Sequence, residues 1–170
     1  MKFKLSFSLL ALKDKKKLET LLKILKEQKI KYIEIPIFKF FPRYLMDINR
    51  INKFKKILKK YDIKISSAQA IFYKKNLNIL SKEDEIKVIR HLRKIIYFCK
   101  KLKIVNIIFG SPANRIRNKI KSDNADKIFK NILDRISGDL KKSNVNFCIE
   151  PNSKFYNCNY INNTEQALKF

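Results

Sequence analysis

The feature that most constrains this chain is a change of hydrophobic period that recurs along its whole length. Short stretches alternate apolar and polar residues, as a half-buried strand requires. Longer stretches between them repeat apolar residues every three to four positions, as an amphipathic helix requires. The first strand is expected over residues 3–9, where Phe3, Leu5 and Phe7 alternate with Lys4, Ser6 and Ser8. A helix over 15–28 follows, with Leu18, Leu21, Leu22 and Leu25 on one face. A strand at 32–37, a loop around Phe41-Pro42-Arg43 and a helix at 47–60 come next, then a strand at 63–68 and a helix running to about Leu102. That helix follows the capping-box-like Ser81-Lys-Glu-Asp84. The last units are a strand at 104–109, a helix at 124–141 with Ser122 as candidate N-cap, a strand at 145–149 and a helix opening near Asn163-Thr164.

Strict alternation of this kind implies a parallel sheet with right-handed crossovers, either open and doubly wound or closed into a barrel. An open nucleotide-binding sheet usually carries a Gly-rich loop after its first strand. Here that position reads Leu10-Ala11-Leu12-Lys13-Asp14, without glycine. The expected fold is therefore α/β, a partial (β/α)8 TIM barrel of five strands, four helices and the start of a fifth helix. It forms one domain over residues 1–170, against the roughly 250 residues of a complete barrel.

Composition narrows the partners. The net charge of +25 admits an anionic partner, nucleic acid or membrane surface. However, Lys is spread over every expected helix and not gathered in a stripe, and Lys, Ile and Asn together suit an A/T-rich coding sequence. A solvated Lys-rich surface is the plainer reading, although codon bias does not account for the scarcity of Glu. Cys99, Cys148 and Cys158 match no metal or disulfide spacing, which points to a reducing, cytoplasmic setting. The N-terminus reads as a strand better than as a signal peptide, and no apolar run reaches membrane-spanning length, so no membrane partner is expected.

In a barrel, chemistry sits at the C-terminal ends of the strands. With Ile33 and Ile35 packed outward, Glu34 points inward; with Phe147 and Ile149 outward, Asn146, Cys148 and Glu150 point inward. Two carboxylates then converge on one mouth, and an enclosed carboxylate needs a cation or a polar ligand beside it. Glu150, followed by Pro151-Asn152, suits a metal ligand or an acid/base group. His91, the one histidine, lies within a helix far from the strand ends and reads as structural or solvent-exposed. Cys148 has no neighbouring acid or base in sequence and reads as packing.

Four stretches carry a resemblance: Tyr32-Ile-Glu-Ile-Pro36, Ile65-Ser-Ser-Ala-Gln-Ala-Ile-Phe-Tyr73, Ile108-Phe-Gly-Ser-Pro-Ala-Asn-Arg115, and Cys148-Ile-Glu-Pro-Asn152 with the trailing Thr164-Glu165-Gln166-Ala167-Leu168. In this order they resemble the xylose-isomerase-like barrel superfamily, in particular its sugar phosphate isomerase/epimerase branch. The resemblance implies a divalent metal (Mn, Mg, Zn or Co) in the mouth, held by residues from strands five to eight, of which Glu150 matches the strand-five ligand. It implies proton transfer next to a sugar carbonyl by a pair of glutamates. It also implies a pocket for a small sugar or sugar phosphate lined by Glu34, Gln69, Asn114 and Arg115, with Arg115 suited to a phosphate or carboxylate.

The departure from the family is that strands six to eight, and with them three of four ligands and one catalytic carboxylate, are not in this sequence. The chain is accordingly expected to be inactive alone, as a truncated or split product, and its open sheet edges invite a complementing C-terminal half or self-association. Two alternatives stand beside this reading. One is nucleic-acid binding, since a DNA-repair endonuclease family shares the barrel, though it uses several histidines where this chain has one. The other is a non-catalytic half-barrel remnant.

Overall fold

The computed structural model describes residues 4–41 and 47–170. Phe3 of the expected first strand and Pro42-Arg43 of the expected loop lie outside them. Five parallel strands form one sheet in the order β1-β2-β3-β4-β5. They are β1 (Ser6–Ser8), β2 (Tyr32–Pro36), β3 (Lys64–Gln69), β4 (Asn106–Phe109) and β5 (Asn146–Ile149). The helices are α1 (Leu18–Glu27), α2 (Ile37–Phe40), α3 (Ile48–Lys60), α4 (Glu85–Leu102), α5 (Ser122–Ser143) and α6 (Thr164–Lys169). This is the α/β arrangement of a partial TIM barrel.

The two faces of the sheet differ sharply in chemistry. On the helix side, Ile33, Ile35, Ile65, Ala68, Ile107 and Phe109 are buried against Leu22, Ile51, Phe54, Leu92, Ile95, Phe129 and Ile132. Each buried Leu, Ile or Phe side chain contributes ~1.5–3 kcal/mol by leaving water. Phe129 of α5 knits this layer together, lying 5.5 Å from Phe109 of β4, 6.2 Å from Phe147 of β5 and 4.9 Å from Phe170. On the opposite, lumenal side the strands present Ser6, Ser8, Glu34, Ser67, Gln69, Asn106 and Asn146. Their polar groups run across the sheet: Asn146 donates to Asn106 Oδ1 (3.1 Å) and Asn106 donates to the Ser66 carbonyl (3.2 Å).

Several helix boundaries depend on backbone geometry that ordinarily calls for glycine. The chain has 2 Gly. The left-handed residues that end helices are instead Lys29 (φ 57°), Asp62 (φ 55°), Lys103 (φ 57°) and Asn144 (φ 52°). Ser81 does not cap α4. The Asp84 carboxylate instead accepts from the Asn78 N–H (2.9 Å), tying the preceding loop to the helix start. Ser122 lies inside α5, whose cap position is Lys121. Asn163 caps α6, its Oδ1 accepting from the Gln166 N–H (2.9 Å).

His91 is buried in α4, one of the two alternatives its position allowed. Its Nε2 lies 2.7 Å from the Ile71 carbonyl. A carbonyl only accepts, so Nε2 carries the proton. The ring stacks on Phe38 (centroids 5.7 Å apart) and leans on Phe72 (4.8 Å). Burial, opposed by the Ile71 bond and aided by Lys75 and Lys94, pushes its pKa below the usual imidazole range.

Candidate functional site

Glu34 occupies the inner face of β2, where Ile33 and Ile35 on either side are fixed outward by the core. Its carboxylate is gripped by β3. Ser67 Oγ donates to Oε2 (2.9 Å) and Gln69 Nε2 donates to Oε1, while Gln69 Nε2 also reaches Ser8 Oγ of β1 (2.8 Å). The carboxylate of β2 is thus bonded directly to β3 and, through Gln69, linked to β1. What makes this geometry is a β-bulge: Ile33 pairs with Ile65, but Glu34 pairs with Ser67, leaving Ser66 as the extra residue of β3. The bulge shifts the alternation by one, turning Ser67 and Gln69 toward Glu34. Ser66 bonds the Ile33 carbonyl (3.1 Å) and Ser6 Oγ (2.7 Å).

The second carboxylate lies at the end of β5. The Glu150 N–H donates to the Phe109 carbonyl (3.1 Å), extending the β4–β5 ladder by one bond, and the side chain is exposed. Gly110 allows this placement, because a Cβ there would overlap Glu150 Oε2. After Gly110 the chain turns through Ser111 (φ 35°) into the 3-10 turn Pro112–Asn114.

Asn114 and Arg115 lie beneath the mouth. The Asn114 amide donates to the carbonyls of Lys75 (2.8 Å) and Leu77 (2.7 Å), bracing the loop after β3. Arg115 is 0% exposed. Its Nη2 donates to the Glu150 carbonyl (2.8 Å), and its guanidinium sits 5.6 Å from the Phe109 ring centre. Nε and Nη1 meet no oxygen or nitrogen acceptor of the protein, the Cys158 thiol being the side chain that favours the charged guanidinium most, and the buried Asn152 Oδ1 finds no donor. Burial lowers the Arg115 pKa, against the pull of Cys158 and Glu150.

The sequence-expected residues therefore form two groups. Glu34 and Gln69 are bonded to each other; Arg115 and Glu150 are bonded through the latter's carbonyl; Asn114 braces the loop between them. Ser8 and Ser67 join the first group, and the sequence held no signal for the bulge that recruits Ser67. Cys148 is half-buried on the face that leads to Glu150, and burial pushes its thiol pKa up.

Among the described residues no group of three or more His, Cys, Asp or Glu side chains comes together to hold a metal ion. Structural and catalytic zinc sites take three or four protein ligands. Glu150 supplies one carboxylate, so the donor set of this chain does not complete such a site.

No curated protein matches the chain in sequence. Among solved structures, a sugar phosphate isomerase/epimerase from Parabacteroides distasonis is 17% identical, with a TM-score of 0.65 over 86% of this chain and 50% of its own. A D-psicose 3-epimerase from Clostridium cellulolyticum is 13% identical, with a TM-score of 0.71 over 97% of this chain and 57% of its own. The IOLI protein, solved with a bound zinc atom, is 19% identical, with a TM-score of 0.63 over 86% and 51%. The chain thus spans about half the length of the structures it matches, and at these identities the likeness is one of fold. No described helix is long and apolar enough to cross a membrane. The profile of one protein family covers residues 22–170, and by that match the chain belongs to the xylose isomerase-like TIM barrel family.

Proposed function

We propose that this chain supplies the β1–β5 wall of a sugar isomerase or epimerase site, in which a proton is moved on and off the carbon next to a sugar carbonyl. The observation that carries the reading is the pair of strand-end carboxylates on one polar face. Glu34 is held rigid by Ser67 and Gln69; Glu150 is exposed at the rim. In this reading Glu34 and Gln69 orient substrate hydroxyls, and Glu150 is the group that exchanges a proton or contributes one bond to a divalent ion. Arg115 and Asn114 serve the site from below, Arg115 by fixing the Glu150 backbone. The remaining wall belongs beyond β5 and β1, whose outer edges have no strand partner among the described residues. Further βα units, on this or another chain, would complete it, and the 170 residues alone are expected to be inactive.

The test is solvent deuterium exchange at the carbon beside the carbonyl, followed by proton NMR over a panel of ketoses and aldoses. It uses the protein at the full length its gene encodes, with Glu150→Gln alongside. General acid–base groups typically contribute about 10²–10⁴-fold. Exchange by the parent protein that falls by that factor in the variant supports the proposal. Exchange indifferent to Glu150→Gln overturns it.

A further inference from the structure

The outer surface of the helix layer carries a groove that the sugar-site reading does not use. It lies between α4 and α5, away from the lumenal face, and has a volume of about 420 Å³. Ile86, Ile89 and Tyr97 of α4 give it apolar surface, and Arg90, Arg93, Lys94 and Arg135 rim it. We propose that this groove docks an amphipathic helix of a partner protein, one that presents an aliphatic stripe flanked by carboxylates.

Gly138 marks the place. The chain has 2 Gly, and Gly110 is required by the Glu150 carboxylate beside it. Gly138 meets no such requirement. It stands inside α5, its φ is not left-handed, it is exposed, and nothing lies within 4 Å of where a Cβ would sit. Glycine inside a helix is less stable than alanine, so the fold alone favours another residue there. A stretch of backbone bare of side chain lets a second helix approach closely. Arg135, Gly138 and Asp139 share one face of α5, at i, i+3 and i+4. Asp139 Oδ2 accepts from Arg93 Nε (2.9 Å), so the bare backbone adjoins the groove.

The cations of this groove also differ from those elsewhere. Lysine is spread over the whole chain, and the clefts around Lys39, Lys56 and Lys121 contain no arginine. Here three of the four cations are arginines, and two of them are held before any partner arrives. Arg93 bonds Asp139 and donates from Nη2 to the Arg135 carbonyl (3.1 Å), while Arg135 Nη1 donates to Glu85 Oε1 (2.7 Å). Such prior order lowers the cost of binding. Neither carboxylate lines the groove, and Arg90 and Lys94 form no ion pair among the described residues. A guanidinium takes a carboxylate through paired donors, and Arg and Tyr are enriched at protein interfaces where Lys is depleted.

Shape and charge choose the occupant. Ile86 is 64% exposed and Tyr97 is half-buried, surface available to an aliphatic stripe. From Ile86 to Tyr97, α4 runs roughly 16 Å, about three turns of a partner helix. One tyrosine is not the succession of aromatic platforms on which a nucleic-acid strand stacks. A second copy of the chain brings its own +25, and like charges disfavour it. An acidic helix answers the arginines and covers Ile86 at once. The groove lies outside the strand-end mouth, so the inference stands or falls apart from the sugar-site reading.

The experiment is fluorescence anisotropy of the full chain with labelled helical peptides of about 20 residues. One peptide carries leucine at i, i+3, i+4 and i+7 with glutamate on both flanks. A second has glutamine for each glutamate, and a third keeps the composition of the first but disperses the leucines. Three variants are compared: Arg90→Gln with Lys94→Gln in the groove, Lys56→Gln with Lys59→Gln on α3, and Gly138→Leu. The two double variants remove the same charge. The acidic striped peptide is expected to bind about tenfold or more tightly than the other two. The groove pair is expected to lose about tenfold or more, and the α3 pair to stay within about twofold. Gly138→Leu is expected to lose about tenfold or more while its melting temperature stays level or rises, because leucine suits a helix better and its Cβ meets nothing in the chain. A glycine that served only the fold does not give that combination. Equal losses in the two double variants, binding unchanged in Gly138→Leu, a dispersed peptide that binds as well as the striped one, or no binding by the folded parent chain overturn the proposal. A single-stranded oligonucleotide that outbinds the acidic peptide and weakens in the groove pair alone overturns it in favour of nucleic acid. Sedimentation that shows parent dimers dissociated by Gly138→Leu overturns it in favour of a second copy. If circular dichroism shows the groove pair unfolded, Arg90→Gln alone is measured by the same criterion.

Discussion

Replacing Arg115 by Met separates what stabilises this fold from what equips it. The guanidinium contributes a charge-assisted bond from Nη2 to the Glu150 carbonyl, ~1.5–3 kcal/mol, and a desolvated contact with the Phe109 ring, ~2 kcal/mol. Against this stand two buried donors, Nε and Nη1, with no oxygen or nitrogen acceptor and at best the weak acceptor Cys158 Sγ, at ~1–3 kcal/mol each, and the desolvation of a fully buried charge, several kcal/mol more. The two sides come out level or against arginine. Met has similar length and no polar atoms to satisfy. Arg115→Met is therefore expected to leave stability within ~1 kcal/mol or raise it by up to ~4 kcal/mol. For a domain of this size that is a melting temperature unchanged or raised by roughly 10 °C. Arg115→Ala, which leaves a cavity, is expected to lower stability by ~2–5 kcal/mol. Thermal and urea unfolding followed by circular dichroism measure both. A loss above ~2 kcal/mol in Arg115→Met would refute the reasoning, because it would mean that Nε and Nη1 are satisfied and the charge is a net stabiliser. A neutral or stabilised variant with impaired proton exchange would identify Arg115 as a residue kept to position Glu150, not to hold the fold.

Phe129→Ala removes the ring that joins β4, β5, α5 and Phe170. It should destabilise by ~3–5 kcal/mol in urea unfolding, whereas Phe155→Ala, 85% exposed, should change stability by less than ~0.5 kcal/mol. His91 has a folded pKa below its unfolded value of 6.5, so between the two the unfolded chain holds more protons. Stability should accordingly fall as pH drops from 6.5 through the folded value, and a melting curve series against pH should lose that slope in His91→Phe. Gly110→Ala forces the Glu150 carboxylate aside, a movement at the far end of a flexible side chain. The melting temperature should shift by only a few degrees while proton exchange by the full-length protein falls sharply.

The succession of strands and helices was legible in the sequence because the hydrophobic period changes cleanly at each boundary and the core enforces it. Glu34 shows this best: Ile33 and Ile35 must face the helices, so the residue between them faces in. The same logic placed Glu150 after Ile149. Other features were invisible for physical reasons. Ile37 reads as the last residue of the second strand but starts α2 (Ile37–Phe40) once Pro36 ends the ladder. The bulge at Ser66 reverses parity within one strand, so Ser67 could not be assigned to Glu34 from spacing. Asn114 and Arg115 stand in the expected loop, but only packing shows that both are buried beneath it. Helix ends fall on lysine, aspartate and asparagine because the chain has almost no glycine to mark them.

The central claim is that Glu34 and Glu150 act on one substrate at one mouth. A double-mutant cycle on the proton-exchange rate, with Glu34→Gln, Glu150→Gln and both together in the full-length protein, tests it most directly. Residues that work as a unit are strongly non-additive. The account predicts that the double variant is about as impaired as the worse single variant. Losses that multiply independently, or exchange that neither substitution affects, would contradict it.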